Sequence, residues 1–186
     1  MLKSILIILG LSMSSHAIVE SQIQQVMEKK VHQVLNILKN KSLSQKQKEK
    51  KSITVMDAVF DYNTMSKISL GKKWKTLKPS EQKQFTKAFE KKIKHSYVDK
   101  LRLYNNQKVI TKALKKVKPT RITLENQIIG KTDTYKVVYL FYKDKKKNQW
   151  YIYDVRLAGV SIIQTYRKQF SEFLKTKSFQ QLLKSL

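Results

Sequence analysis

The sequence predicts an α+β fold, and three changes of pattern predict it. Apolar residues recur at helical spacing through the first half of the chain. They switch to period two in four runs between Lys108 and Leu157, then return to helical spacing from Ile162. The four runs read as four strands of one sheet. The length suits one domain, at residues 18–186, with a separate leader at residues 1–17.

Met1–Ala17 has the parts of a secretory leader: Lys3, an apolar run over Ile5–Leu11, and Ser15-His16-Ala17 ending in small residues that suit cleavage after Ala17. The apolar run is about half the ~20 residues that a membrane-spanning helix needs. The chain has no cysteine, which excludes attachment through a lipoprotein cysteine and any disulfide framework. An exported compartment is expected.

Ile18–Asn40 reads as an amphipathic helix, with Val19, Ile23, Val26, Val34, Ile37 and Leu38 on one side. Ser42–Lys51 is polar and fits either a linker or the exposed start of a second helix. Asn63–Gly71 reads as a short helix stopped by Gly71. Pro79 and Glu81 open a longer helix with Phe85, Ala88, Phe89, Ile93, Tyr97 and Leu101 as its stripe, although Lys78 is a poor N-cap.

The strands are expected at Lys108–Lys118, Thr120–Ile129, Tyr135–Tyr142 and Trp150–Leu157, with Lys143–Asn148 as a charged hairpin loop. The third is apolar on both alternating sets, Tyr135/Val137/Tyr139/Phe141 and Val138/Leu140/Tyr142, so both of its faces must be covered. After Gly159, Ser161 is placed to cap a helix that begins at Ile162. Ser178–Leu186 reads as a last helix.

A formal charge of +26 would suggest nucleic acid, but the excess is almost entirely lysine. Arginine, which suits base edges and bidentate phosphate contacts, occurs only at positions 102, 121, 156 and 167. The lysines are scattered, which fits a solvated surface and attraction to anionic membranes. An enzyme has no positive support. His32 and His95 read as solitary side chains on helices without a ligand partner one turn away. No glycine-rich phosphate loop and no nucleophile elbow occur. Asp61 reads as a helix-start or hydrogen-bonding carboxylate rather than a catalyst.

Two blocks carry a family resemblance. The first is Phe60-Asp61-Tyr62, Met65, Leu70-Gly71, Trp74, Phe85, Phe89 and Tyr97. The second is Tyr153-Asp154-Val155, Gly159-Val160-Ser161 and Tyr166-Arg167-Lys168-Gln169-Phe170. In this order they resemble the MlaC-type phospholipid-binding proteins, also called the toluene-tolerance family. One departure is Ala158, where the family often has an acid.

The resemblance implies an antiparallel four-stranded sheet wrapped by helices around a deep apolar lipid pocket. It implies a monomeric periplasmic carrier that shuttles phospholipids between membranes and so maintains outer-membrane lipid asymmetry. Its partners would be phospholipid, an outer-membrane lipoprotein complex, and an inner-membrane ABC transporter with its substrate-binding ring. It would need no metal, no nucleic acid and no cofactor besides the phospholipid cargo.

On this reading the lipid would meet Trp74, Phe85, Phe89, Tyr97, Val138, Leu140 and Tyr142. Tyr153, Val160, Ile163, Tyr166 and Phe170 would join them, with the Arg167 guanidinium on the phosphate. The alternatives are a basic exported structural or adaptor protein, attracted to anionic membranes and without lipid cargo, and, more remotely, an exported nucleic-acid-binding protein.

Overall fold

The computed structural model describes residues 18–102, 104 and 106–186; the expected leader Met1–Ala17 lies outside the described residues. A short 3-10 turn at Glu20–Gln22 leads into α1, Ile23–Lys39. The ambiguous lysine-rich segment proves to be the start of α2, Gln45–Asp57. Ser44 explains why: its Oγ accepts from Gln47 N while the Gln47 side chain accepts from Ser44 N, a capping box that satisfies two otherwise free donors.

Helix α3 spans Tyr62–Leu70 with Asp61 as N-cap, and Gly71 stops it at φ +55, a conformation that glycine tolerates. A 3-10 stretch over Gly71–Thr76 precedes α4, Pro79–Arg102. The weak cap at Lys78 is remedied from inside the helix, because the Glu81 carboxylate accepts from Lys78 N at 2.8 Å.

The sheet has six strands rather than the expected four, in the order β1-β3-β4-β5-β6, with β2 also paired to β3. Lys108–Lys118 splits into β1, Lys108–Thr111, and β2, Lys115–Lys118. Each covers a different part of the same edge of β3, Arg121–Ile129. Strands β4 (Thr134–Asp144) and β5 (Gln149–Leu157) follow as a hairpin.

The sixth strand, Val160–Ser161, arises because Ala158 and Gly159 both take positive φ, +47 and +86, and fold the chain back onto β5. That conformation also suits Asp and Asn better than other non-glycine residues, which gives the family's acid a physical rationale at Ala158. All ladders are antiparallel. Helices α5, Ile162–Thr176, and α6, Phe179–Lys184, complete the chain, capped by Ser161 and Ser178.

The far edge of β5 does not stay open. Ile152 N donates to Val59 O, Asp61 N donates to Ile152 O, and Trp150 N donates to Ile18 O. Two apolar cores result. In one, the inward face of the sheet (Ile122, Leu124, Phe141, Trp150, Ile152) packs with α1 and α2 through Ile23, Met27 and Met56. In the other, α3, α4, α5 and α6 close around Met65, Phe85, Phe89, Phe170, Phe179 and Leu182. Phe60 touches both.

Candidate functional site

Between the sheet and the helices lies a cavity of about 890 Å³. Pockets that enclose most of a ligand commonly run from roughly 300 to 1,000 Å³, so this one is near the upper end. Its walls follow from the periods of the elements that build them. Helix α1 contributes Val31, Val34, Leu35 and Leu38, and α2 contributes Ile53 and Met56. The second half of α4 contributes Ile93, Tyr97 and Leu101. The sheet contributes Val109, Ile128, Val137, Tyr139, Val155 and Leu157, which strand alternation and register place on one face. Helix α5 closes the wall with Ile162 and Tyr166. Tyr135 and Val160 also line it and are 38% and 62% exposed, which marks where the cavity meets solvent.

Polar and hydroxyl-bearing side chains are set among these apolar ones. Lys94 Nζ reaches Asp57 Oδ2 at 2.5 Å and Glu90 Oε1 at 2.6 Å, while Tyr62 donates to Asp57 Oδ1 at 2.8 Å. Burial pushes the Lys94 ammonium down, but its bonds to Asp57 and Glu90 outweigh that and hold it above its ordinary range. The Tyr97 phenol is pushed well up by burial, and the Tyr139 phenol up to about 12 for the same reason. Ser96 and Tyr166 hydroxyls meet at 3.2 Å, joining α4 to α5 on the wall. Lys92 and Lys100 add two cationic side chains to the lining. Asn126 is 2% exposed on the same wall, and its Oδ1 has no hydrogen-bond partner among the described residues.

Of the expected contacts, Tyr97, Val160 and Tyr166 line the cavity. Trp74, Phe85, Phe89, Ile163 and Phe170 belong instead to the helical core. Phe89 stands 5.4 Å from Phe170 and 5.0 Å from Tyr166, ring centroid to ring centroid. The stripe on α4 changes neighbours along its length: Phe85 and Phe89 face the other helices, whereas Tyr97 and Leu101 join the core beside the sheet.

Val138, Leu140 and Tyr142 alternate away from Val137 and Tyr139 and so occupy the other face of β4. There Tyr142 packs against Tyr153, and the Arg121 guanidinium lies over both rings at 5.7 and 5.4 Å. Arg167 is exposed and stands off the cavity, which α5 lines with Ile162, Thr165, Tyr166 and Gln169. A Cβ on Gly71 would come within 3.4 Å of Arg167 Nε, so the guanidinium rests on the Gly71 backbone.

The two family-motif acids have structural partners. Asp61 accepts from Thr64 N at 2.9 Å, from Thr64 Oγ1 at 2.7 Å, and from the Tyr142 hydroxyl. Burial raises its carboxyl pKa, but these hydrogen bonds together hold it below the usual carboxylate range. Asp154 is buried and accepts from Ser161 Oγ at 2.6 Å and Ile163 N at 3.1 Å, which fixes the start of α5 against β5.

His95 does have a carboxylate one turn on: Asp99 Oδ2 lies 3.5 Å from its Nδ1 on the exposed face of α4. That is a helix-surface pair, and no group of His, Asp or Glu able to hold a metal ion occurs among the described residues. Nor, among them, is any helix long and apolar enough to cross a membrane.

Sequence reading missed Leu35, Leu38, Ile128, Val137, Leu157 and Asn126. For Val137 no signal could separate the faces, because β4 is apolar on both. For Asn126 a signal existed: Ile122, Leu124 and Ile128 make an apolar alternation that Asn126 interrupts.

The family model described as MlaC protein matches residues 28–186. No curated protein sequence matches the chain. Among solved structures, the phospholipid-binding protein from Ralstonia solanacearum in complex with a phospholipid is similar in fold. Its TM-score is 0.73 at 21% identity, over 87% of this chain and 92% of that one.

Proposed function

The chain belongs to the MlaC family, and from that premise we propose that it is a periplasmic phospholipid carrier whose cargo lies in the cavity between sheet and helices. The observation that carries the reading is the cavity itself, about 890 Å³ with walls that are mostly aliphatic and aromatic. Each buried CH₂ is worth about 0.8 kcal/mol, so acyl chains in water are strongly driven into such an enclosure. The similar-fold protein from Ralstonia solanacearum, in complex with a phospholipid, supports the same cargo class. Tyr97, Val160 and Tyr166 are the contacts expected from sequence that this reading keeps, joined by Val34, Ile128, Val137 and Tyr139 on the acyl chains.

Lys92 and Lys100 take the phosphate role first assigned to Arg167, since both are on the cavity lining and neither shares the carboxylates that hold Lys94. Export depends on a leader cleaved after Ala17. Delivery runs between an outer-membrane lipoprotein complex and an inner-membrane ABC transporter with its substrate-binding ring, and maintains outer-membrane lipid asymmetry. Relative affinities of the partners set the direction, so the chain needs no catalytic step and acts as a monomer. An adaptor with a filled core is disfavoured by the cavity.

Purification of the mature chain without detergent, followed by organic extraction and mass spectrometry, should yield phospholipid near one per chain. Recovery of no lipid from a folded preparation, together with failure to take up lipid from vesicles, would sink the carrier reading.

A further inference from the structure

The charged side chains on the cavity lining are out of balance. Among the described residues they are Lys92, Lys94 and Lys100 against a single carboxylate, Asp57. That carboxylate is engaged at both oxygens, by Lys94 Nζ on one and the Tyr62 hydroxyl on the other. Lys94 also holds Glu90. Lys92 and Lys100 are left as cations with no carboxylate of their own on this wall. Their placement makes them a rim. Lys92, Ser96 and Lys100 recur every four residues and so follow one line along α4, about 12 Å from first to last. The Ser96 and Tyr166 hydroxyls meet at 3.2 Å, so this line runs beside α5, whose Thr165 and Gln169 are exposed and on the lining. Lys92 is half-buried and Lys100 exposed, while the residue after each of the three, Ile93, Tyr97 and Leu101, joins the apolar wall. The border between α4 and α5 is cationic and hydroxyl-bearing, and the wall behind it is apolar.

A phospholipid held by its tails brings its phosphate to such a border, where ammonium groups donate to the phosphate oxygens. What lies beyond the phosphate then decides the fit. A headgroup that ends in an ammonium carries a like charge to the same two lysines and finds no free carboxylate on the lining. Other acids nearby do not supply one. Asp99 faces His95 and Arg102 on the exposed side of α4, and Asp133 is off the lining, in the same β3–β4 connection as Lys131. A headgroup that ends in hydroxyls brings no such charge and meets Ser96, Thr165 and Gln169. We infer that this rim sorts cargo by headgroup charge, favouring anionic phospholipids over zwitterionic ones that end in an ammonium, with Lys92 and Lys100 as the specificity residues. This rests on the carrier reading above and adds to it a choice among phospholipid headgroups.

The test is competition between phosphatidylglycerol and phosphatidylethanolamine with the same acyl chains, mixed equally in one set of vesicles and offered to the delipidated mature chain. Because both lipids share a bilayer, attraction of the lysine-rich surface to the membrane is common to both and cancels in the ratio. Bound lipid is extracted and the ratio read by mass spectrometry. The native chain should enrich phosphatidylglycerol about fivefold, the factor that one like-charge contact at about 4 Å costs even in bulk water. Replacing phosphatidylglycerol by phosphatidylmethanol, which has the same charge and no headgroup hydroxyl, should give much the same enrichment. The double variant Lys92→Gln with Lys100→Gln should bring the ratio to about one. Lys145→Gln with Lys146→Gln removes as much charge from the exposed β4–β5 loop, off the lining, and should leave the ratio at its native value. Equal uptake of both lipids by the native chain, loss of the enrichment with phosphatidylmethanol, an unchanged ratio in the folded rim variant, or an equal fall in the loop variant would each overturn the sorting by Lys92 and Lys100 alone. Uptake of neither lipid by the native chain would overturn the carrier reading with it.

Discussion

The Tyr142 hydroxyl, on the outer face of β4, donates to the carboxylate of Asp61, which at the same time caps α3 through Thr64 N. One carboxylate thus ties the sheet to the helix that begins the second core. Asp61→Ala should cost about 1–2 kcal/mol, the range for a lost N-cap side chain. The folded carboxyl is held below its ordinary pKa, so its contribution is fully present above about pH 4 and is lost as pH falls through the depressed value. Urea melts of both proteins from pH 7 to pH 2 should show the gap closing only at the acid end. A gap that is constant with pH would refute the ionic part of this account.

At high pH the phenols should act in the opposite sense. Burial pushes Tyr139 up to about 12, and burial followed by the bond to Asp61 does the same for Tyr142. Their stabilising effect is complete below the ordinary phenol value of about 10 and is lost as pH rises through about 12. Phenolate absorbance of the folded chain should therefore lag behind that of the urea-unfolded chain across this window. Superimposable titration curves would count against it.

A charge should distinguish cavity wall from solid core. Val137→Asp places a carboxylate on the lining, where it meets water or lipid, and should abolish lipid retention while leaving circular dichroism near native. Ile163→Asp puts the same charge at a site with 0% exposure in the helical core and should unfold the chain, since a buried charge without a partner is strongly destabilising. Circular dichroism and extracted lipid, measured on both variants, would show whether the two sites behave alike.

Gly71 and Arg167 give a further comparison. Gly71→Ala meets strained backbone at φ +55 and a guanidinium at 3.4 Å, and should destabilise by about 1–3 kcal/mol. Arg167→Ala should leave lipid off-rates unchanged, while Lys100→Ala should speed loss of anionic lipid. Faster loss from the Arg167 variant alone would return the phosphate role to that residue.

Most of the fold was legible because local chemistry decided it: the Gly71 stop, the Ser161 cap and the period change after Arg102 are properties of a few neighbouring residues. The broken first strand was not, because β1 and β2 are separated by how each pairs with β3 rather than by a glycine or proline between them. The two-residue β6 depends on a left-handed alanine that no propensity favours. The wall of the cavity was the hardest part to read. Phe85, Phe89, Tyr97 and Leu101 share one stripe, and only the positions of the sheet and of α5 decide which of them face packed helices and which face the hollow.

That hollow gives heat a way to count cargo. Side chains such as Val34, Tyr97 and Val137 have few protein atoms opposite them across the cavity, so an occupant supplies contacts that the polypeptide does not. By mass action, a lipid present at a hundred times its dissociation constant adds about 2.7 kcal/mol. For a chain of this length that is roughly 5–10 °C in Tm. A partly filled preparation that exchanges slowly should accordingly melt in two steps, and the relative heights of the steps would report the loaded fraction without any label.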